Sequence, residues 1–130
     1  MDTNASEPRK RHILIVDDNV PLAHFIEEIL KLNGYDATVI TDSVLALKHA
    51  LHHPTDAVIC DLQMPKLDGD LFYATVERAQ PALARRFIFV TGMADDERFK
   101  KFVSTVESPV LHKPVLVEEL LGALKGVLPA

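Results

Sequence analysis

Carboxylates follow directly after two short apolar runs of the sequence. Residues 12–16 (HILIV) lead into Asp17 and Asp18, and residues 56–60 (DAVIC) lead into Asp61. Short apolar runs bounded by turn residues are typical of strands that are buried on both faces of a parallel sheet. Open α/β sheets place their ligands at the carboxyl ends of such strands. We therefore expect Asp61 to be a reactive carboxylate at that edge.

Two further apolar runs also end at side chains that can do chemistry. Residues 86–90 lead into Thr91, and residues 109–112 lead into Lys113. Because all strands of a parallel sheet end at one edge, these side chains can converge with the carboxylates despite their separation in sequence.

Each of these residues has a simpler explanation when it is considered alone. Asp17 and Asp18 can cap a helix, and Asp61 can begin a turn. Asp68 is expected to cap the helix that follows it, and Lys113 can be a solvated strand end. The conjunction at four strand ends, rather than any single residue, indicates a functional site.

The chemistry that this group of residues could perform is phosphoryl transfer. Three carboxylates about 5 Å apart repel by roughly 3 kcal/mol per pair at an effective dielectric constant near 20, so the site should raise a pKa or hold a cation. Carboxylate oxygens from Asp17, Asp18 and Asp61 suit Mg²⁺. Lys113 can pair with an anion and Thr91 can donate a hydrogen bond. A carboxylate nucleophile with these partners predicts phosphorylation of Asp61.

The apolar periodicity predicts the elements that must position these residues. Strands and helices alternate, which is the pattern of an α/β fold with a parallel sheet and helices on both faces. Five strands are expected at residues 12–16, 35–41, 56–60, 86–90 and 109–112. Five helices are expected at about residues 21–32, 44–51, 70–79, 95–104 and 117–128.

Composition narrows the function classes. A chain of 130 residues with 48% apolar and 25% charged residues is typical of one globular domain. The net charge of −5 argues against direct nucleic-acid binding, and no apolar run is long enough to span a membrane. We expect residues 1–11 to form a flexible tail and residues 12–130 to form the domain. The single cysteine, Cys60, is expected to be a core residue, and the composition favours a cytoplasmic location.

The motifs together are similar to those of one protein family. The segments ILIVDDN at 13–19, DLQMP at 61–65, DG at 68–69, VTG at 90–92 and KP at 113–114 resemble the receiver domains (CheY-like) of two-component response regulators. The resemblance covers about residues 12–128. It implies a flavodoxin-like (β/α)5 fold with the strand order 2-1-3-4-5.

The resemblance also implies roles for individual residues. Asp61 would accept a phosphoryl group from a phosphohistidine on a histidine kinase or a histidine phosphotransfer protein. Asp18, Asp61 and the backbone carbonyl of Gln63 would bind Mg²⁺ directly, and Asp17 would act through a water molecule. Thr91 and Lys113 would contact the phosphoryl group after its transfer.

The chain departs from the family pattern at one position. Relatives carry an aromatic ring three residues before the lysine, and this chain has Val110. Since valine has no ring to swing, we expect any activation to rely on the loop after Thr91 and on the helix from Asp95 to Ser104. The resemblance further implies that the peptide bond between Lys113 and its proline can be cis.

The leading hypothesis is a phosphorylatable signalling module, rather than an enzyme that turns over an external substrate. We expect no output domain in this chain, so that its signal passes to a protein partner through the 95–104 helix, the fifth strand and the last helix. A haloacid-dehalogenase-like phosphatase is one alternative, although Gln63 stands where such enzymes carry a second aspartate. A binding module that acts without phosphorylation is the other.

Overall fold

The fold is a five-stranded parallel sheet with helices on both faces, in a computed structural model that describes residues 9–129. The strand order is β2-β1-β3-β4-β5, as expected. The strands are β1 His12–Val16, β2 Asp36–Ile40, β3 Ala57–Cys60, β4 Phe87–Thr91 and β5 Val110–His112. The helices are α1 Val20–Leu32, α2 Ser43–His52, α3 Gly69–Ala79, α4 Pro81–Ala84, α5 Glu97–Thr105 and α6 Val117–Val127.

Strand side chains alternate between two separate halves of the core, because successive residues of a strand point to opposite faces of the sheet. Leu14, Cys60 and Phe89 face α2, α3, α4 and α5. Ile15 and Ile59 face α1 and α6 on the other side. All four residues of β3 are at most 2% exposed, so the central strand is apolar throughout until it reaches Asp61.

The short helix α4 is an element that the sequence analysis did not predict. The residue before a proline is disfavoured in helical conformation, and Gln80 accordingly leaves the helix with φ −142° and ψ 76°. Pro81 then starts a new turn, since its fixed φ suits the first position of a helix. Residues 9–129 therefore contain six helices, and α3 ends close to the predicted end of that helix at residue 79.

The described part of the predicted tail contacts the domain. Arg9 donates two hydrogen bonds of 3.0 and 3.1 Å to the carboxylate of Asp56, and the backbone carbonyl of Arg11 accepts from Asp36. The remainder of the predicted tail, residues 1–8, lies outside the described residues. Among residues 9–129, no helix combines the length and the apolar character that a bilayer crossing requires.

Candidate functional site

The register of the sheet brings the predicted carboxylates to one place. Val16 pairs with Cys60, so the residues that follow them, Asp17 and Asp61, leave the sheet side by side. One carboxylate oxygen from each of Asp17, Asp18 and Asp61 lies within 4.8 Å of the other two. Asp17 and Asp61 are buried, and Asp18 is exposed. The predicted acidic cluster therefore forms, with one member facing solvent.

Lys113 supplies the positive charge inside this cluster. Its Nζ lies 3.0 Å from Oδ2 of Asp61 and 3.3 Å from Oδ2 of Asp17. The backbone N–H of Lys113 donates to the carbonyl of Thr91, which holds the end of β5 against the end of β4. Burial lowers the pKa of Lys113, but the hydrogen bond and charge of Asp61 and the charge of Asp17 outweigh it and hold that pKa above its usual value.

Asp61 is the carboxylate whose protonation is most strongly perturbed. Burial, together with the charge of Asp17, raises the pKa of Asp61 to about 6, although Lys113 and the N–H of Leu62 oppose the shift. The carboxylate is held at both oxygens, since Oδ1 accepts from Leu62 N–H at 2.7 Å and Oδ2 faces Lys113. Burial of Asp61 therefore disfavours its ionised form, which is the form a nucleophile needs, and a bound cation would stabilise that form.

The loop between β3 and α3 is closed tightly around Asp61. The N–H of Gly69 donates to the carbonyl of Leu62 at 2.7 Å, and Ser43 donates its hydroxyl hydrogen to the carbonyl of Pro65. A Cβ atom on Gly69 would lie 2.1 Å from the carbonyl oxygen of Asp61. Gly69 is therefore required for the close approach of α3 to the acidic strand end.

The structure corrects the prediction that the Asp68 side chain caps the helix that follows it. Asp68 stands at the N-cap position of α3, as expected, but its side chain makes no capping hydrogen bond. Its Oδ1 instead accepts from Met64 N–H at 3.2 Å, and its Oδ2 lies 3.7 Å from the guanidinium of Arg98. Because the loop folds back across the start of α3, Asp68 stabilises the loop instead of the helix.

Thr91 and Pro114 lie where the resemblance implies. Thr91 is fully buried at the end of β4, and its Oγ1 accepts the N–H of Met93 at 2.8 Å, which leaves the hydroxyl hydrogen available for another acceptor. The Lys113–Pro114 peptide bond is cis.

The acidic cluster opens into a cleft of about 730 Å³. Its walls combine the strand-end residues with the loops that follow β3 and β4, and they include Asp18, Asp61, Gln63, Gly92, Met93, Arg98 and Lys113. The sequence analysis identified the charged strand ends but missed Arg98. A single arginine on an exposed helix gives no local signal that it borders the site, because Arg98 is 37 residues away from Asp61 in sequence.

Cysteine and histidine side chains do not add to this site. Cys60 is fully buried beside Asp61, and burial followed by the charges of Asp61 and Asp17 raises the pKa of its thiol. The rings of His49 and His53 stack at 4.4 Å with an angle of 10° between their planes. Within residues 9–129, the residues grouped closely enough to hold a metal are the three aspartates.

Comparison with known proteins identifies the family to which this fold belongs. A model of the response regulator receiver domain matches residues 13–125. The chain belongs to this family. Receiver domains are signalling modules of two-component systems, and the family bears an acidic pocket that binds Mg²⁺.

Relatives of this receiver occur both within longer regulators and as proteins of similar length. The transcriptional regulatory protein PrrA of Mycobacterium leprae is 30% identical over 98% of this chain, but the chain spans only 53% of that protein. A probable chemotaxis protein CheY of Rhizobium etli is 29% identical, and this chain covers 95% of that protein's length. A similar solved structure is the receiver domain of sensor histidine kinase PA1611 from Pseudomonas aeruginosa, which holds magnesium in its active site cleft. It is 27% identical in sequence, and the structures match with a TM-score of 0.79 over 91% of this chain and 97% of that one.

We predict that Gly69→Ala will destabilise the protein and displace Asp61. The new methyl group would meet the backbone at Asp61 and Leu62, neither of which can move as a flexible side chain would. Overpacking of this kind costs about 1–3 kcal/mol or more. Thermal unfolding of the variant measures the loss. Gly122→Ala in α6 is the matched control, because open space surrounds that position and the change should stabilise the helix by up to about 1 kcal/mol.

We also predict that Asp61→Asn will raise stability in Mg²⁺-free buffer in a pH-dependent way. Since the folded state raises the pKa of Asp61 from its ordinary value near 4 to about 6, the folded protein loses stability as the pH rises between these values and carries the full penalty above pH 6. The gain should be about 1–3 kcal/mol above pH 6 and should shrink as the pH falls toward 4. Denaturant unfolding across this range measures it. Asp95→Asn, at an exposed position outside the cluster, should show no such profile.

Proposed function

We propose that this receiver accepts a phosphoryl group on Asp61 from a phosphohistidine donor. The observation that carries the proposal is the buried carboxylate of Asp61, held 3.0 Å from Lys113 and within reach of the carboxylates of Asp17 and Asp18. An oxygen of Asp61 forms a bond to phosphorus while the bond between phosphorus and the donor imidazole nitrogen breaks. The imidazole leaves with that electron pair, and the product is an aspartyl phosphate.

The chain's own residues supply position and charge for this transfer. Leu62 N–H fixes one oxygen of Asp61, so the carboxylate keeps a single orientation toward the cleft. Lys113 pairs with the added phosphoryl charge, and Thr91 donates its free hydroxyl hydrogen to a phosphoryl oxygen. Phosphoryl transfer depends mainly on such positioning and charge neutralisation, which these groups would supply together with a bound cation.

The donor set also suits Mg²⁺. The carboxylates of Asp18 and Asp61 and the carbonyl of Gln63 would hold the ion directly, with Asp17 acting through a water, because hard oxygen ligands are those that Mg²⁺ prefers. The bound ion would partly neutralise the negative charges of the Asp61 carboxylate and of the incoming phosphoryl group. The magnesium in the cleft of the PA1611 receiver supports this assignment.

The partner in this reaction would be a histidine kinase or a histidine phosphotransfer protein. Phosphorylation would be read by a downstream protein at α5, β5 and α6, with the signalling reaction taking place in the cytoplasm. Turnover would be limited to phosphorylation and dephosphorylation of the chain itself. Family membership favours this function over a haloacid-dehalogenase-like phosphatase.

We predict that incubation with phosphoramidate and Mg²⁺ will add one phosphoryl group, as measured by intact mass. Asp61→Asn should abolish the adduct because it removes the acceptor oxygen. Asp95→Asn should keep the adduct, since Asp95 is exposed and lies outside the cluster.

Two results would contradict the proposal. Wild-type protein that gains no mass, or an adduct that survives in Asp61→Asn, would exclude Asp61 as the acceptor. Multiple turnover of an unrelated phosphomonoester would favour the phosphatase instead.

Mg²⁺ is predicted to raise the melting temperature of the unphosphorylated protein by a few degrees. An ion at ten times its dissociation constant stabilises the folded state by about 1.4 kcal/mol. Asp18→Asn should lose this response while retaining the fold, because Asp18 is exposed. Identical melting curves in Mg²⁺ and in chelator would refute the cation site.

A further inference from the structure

Arg98, on α5, lines the same cleft as Asp61 and several residues of the β3–α3 loop. Its Nη1 lies 3.7 Å from Oδ2 of Asp68, and its Nε lies 3.6 Å from Oδ1 of Asp96. Asp68 in turn accepts a hydrogen bond from Met64 in the loop. Arg98 therefore connects the start of α5 to the β3–α3 loop beside the cleft.

Both ionic contacts of the Arg98 guanidinium are weak. The distances to Asp68 and Asp96 exceed the range of a hydrogen bond, and the Arg98 side chain is 53% exposed. Exposed ion pairs contribute little to stability. The guanidinium lies over the Phe99 ring at 4.8 Å, and Phe99 is the buried side chain of α5. Arg98 can thus change its ionic partner at low cost while its neighbour keeps the helix attached.

The charges around Asp61 indicate what that new partner would be. An aspartyl phosphate carries a charge of about −2. Together with the carboxylates of Asp17 and Asp18, it would outweigh the ammonium of Lys113 by about three charges. A divalent cation would leave an excess of about one negative charge. Arg98 is a cationic side chain on the wall of the same cleft.

We propose that Arg98 is a second cationic phosphoryl-binding residue beside Lys113, which exchanges Asp68 for the phosphoryl group when Asp61 is phosphorylated. This inference rests on the proposed function. Guanidinium matches phosphate oxygens in a bidentate geometry that an ammonium cannot make, and it forms charge-assisted hydrogen bonds there. The exchange would replace the weak contact between α5 and Asp68 with a direct contact between the start of α5 and the phosphoryl group. Arg98 therefore senses the phosphoryl group directly on the helix that a partner would read.

The experiment is a titration of full-length protein with beryllofluoride in saturating Mg²⁺, followed by fluorine NMR. Arg98→Ala should weaken binding of this phosphoryl mimic by about tenfold or more, which corresponds to one charge-assisted hydrogen bond. Its affinity for Mg²⁺ alone should not fall, because Arg98 repels a cation. Arg98→Lys should show an intermediate loss. Asp68→Asn should tighten binding, since Arg98 is then free of its competing partner.

Lys100→Ala is the matched control. Lys100 lies on the same helix, is exposed, and pairs with Glu97 outside the cleft, so its removal should leave beryllofluoride binding unchanged. Equal affinities for wild type and Arg98→Ala would overturn the inference, as would equal losses in Arg98→Ala and Lys100→Ala. If wild-type protein binds beryllofluoride and the variants give either of these results, only the role of Arg98 is refuted and the proposed function is retained. Failure of wild type both to bind the mimic and to gain mass from phosphoramidate would instead refute the proposed function itself.

Discussion

The ammonium of Lys113, placed between the buried carboxylates of Asp17 and Asp61, is the interaction on which the site depends. Two carboxylates at the same sheet edge repel each other, and burial increases the penalty for ionising both. Lys113 offsets only part of that penalty, because the pKa of Asp61 remains raised to about 6. The structure therefore retains an excess of negative charge beside Asp61. That excess is the reason we propose a cation in the unphosphorylated site and further positive charge, from Arg98, in a phosphorylated one.

The same constraint accounts for the shape of the surrounding loops. A buried carboxylate needs fixed donors, and the N–H of Leu62 is one of them. That N–H is in place because the loop turns back sharply to bring Gly69 against the carbonyl of Leu62. Ser43 and Asp68 then hold the middle of the loop from two sides. Hydrogen bonds from α2, from the first residue of α3 and from within the β3–α3 loop together help to orient one carboxylate.

Val110 and its neighbours show how this chain differs from the family pattern. Val110 pairs with Phe89 across β4 and β5 and packs against the aromatic side of the core. The Phe102 ring of α5 lies 5.2 Å from the Phe89 ring and 5.7 Å from the Tyr73 ring. The aromatic contact to the middle of β4 thus comes from α5, whereas β5 contributes Val110 there. Activation through the Thr91 loop and α5 remains a prediction, and this packing is consistent with it.

The sequence by itself determined the strands, most helices and the polar residue at each strand end, because these depend on local periodicity, capping and turn preference. It also carried the family motifs, from which the strand order followed. Local patterns did not reveal α4, the role of Asp68 or the position of Arg98. Phe25 in α1 and Leu71 in α3 are large apolar residues, yet they are 49% and 58% exposed. Periodicity places a residue on a face of its helix, but the sheet register and the packing of neighbouring elements decide whether that face is covered. Only the tertiary structure could decide which charges meet, because Asp17, Asp61 and Lys113 are brought together by strand pairing between segments far apart in the chain.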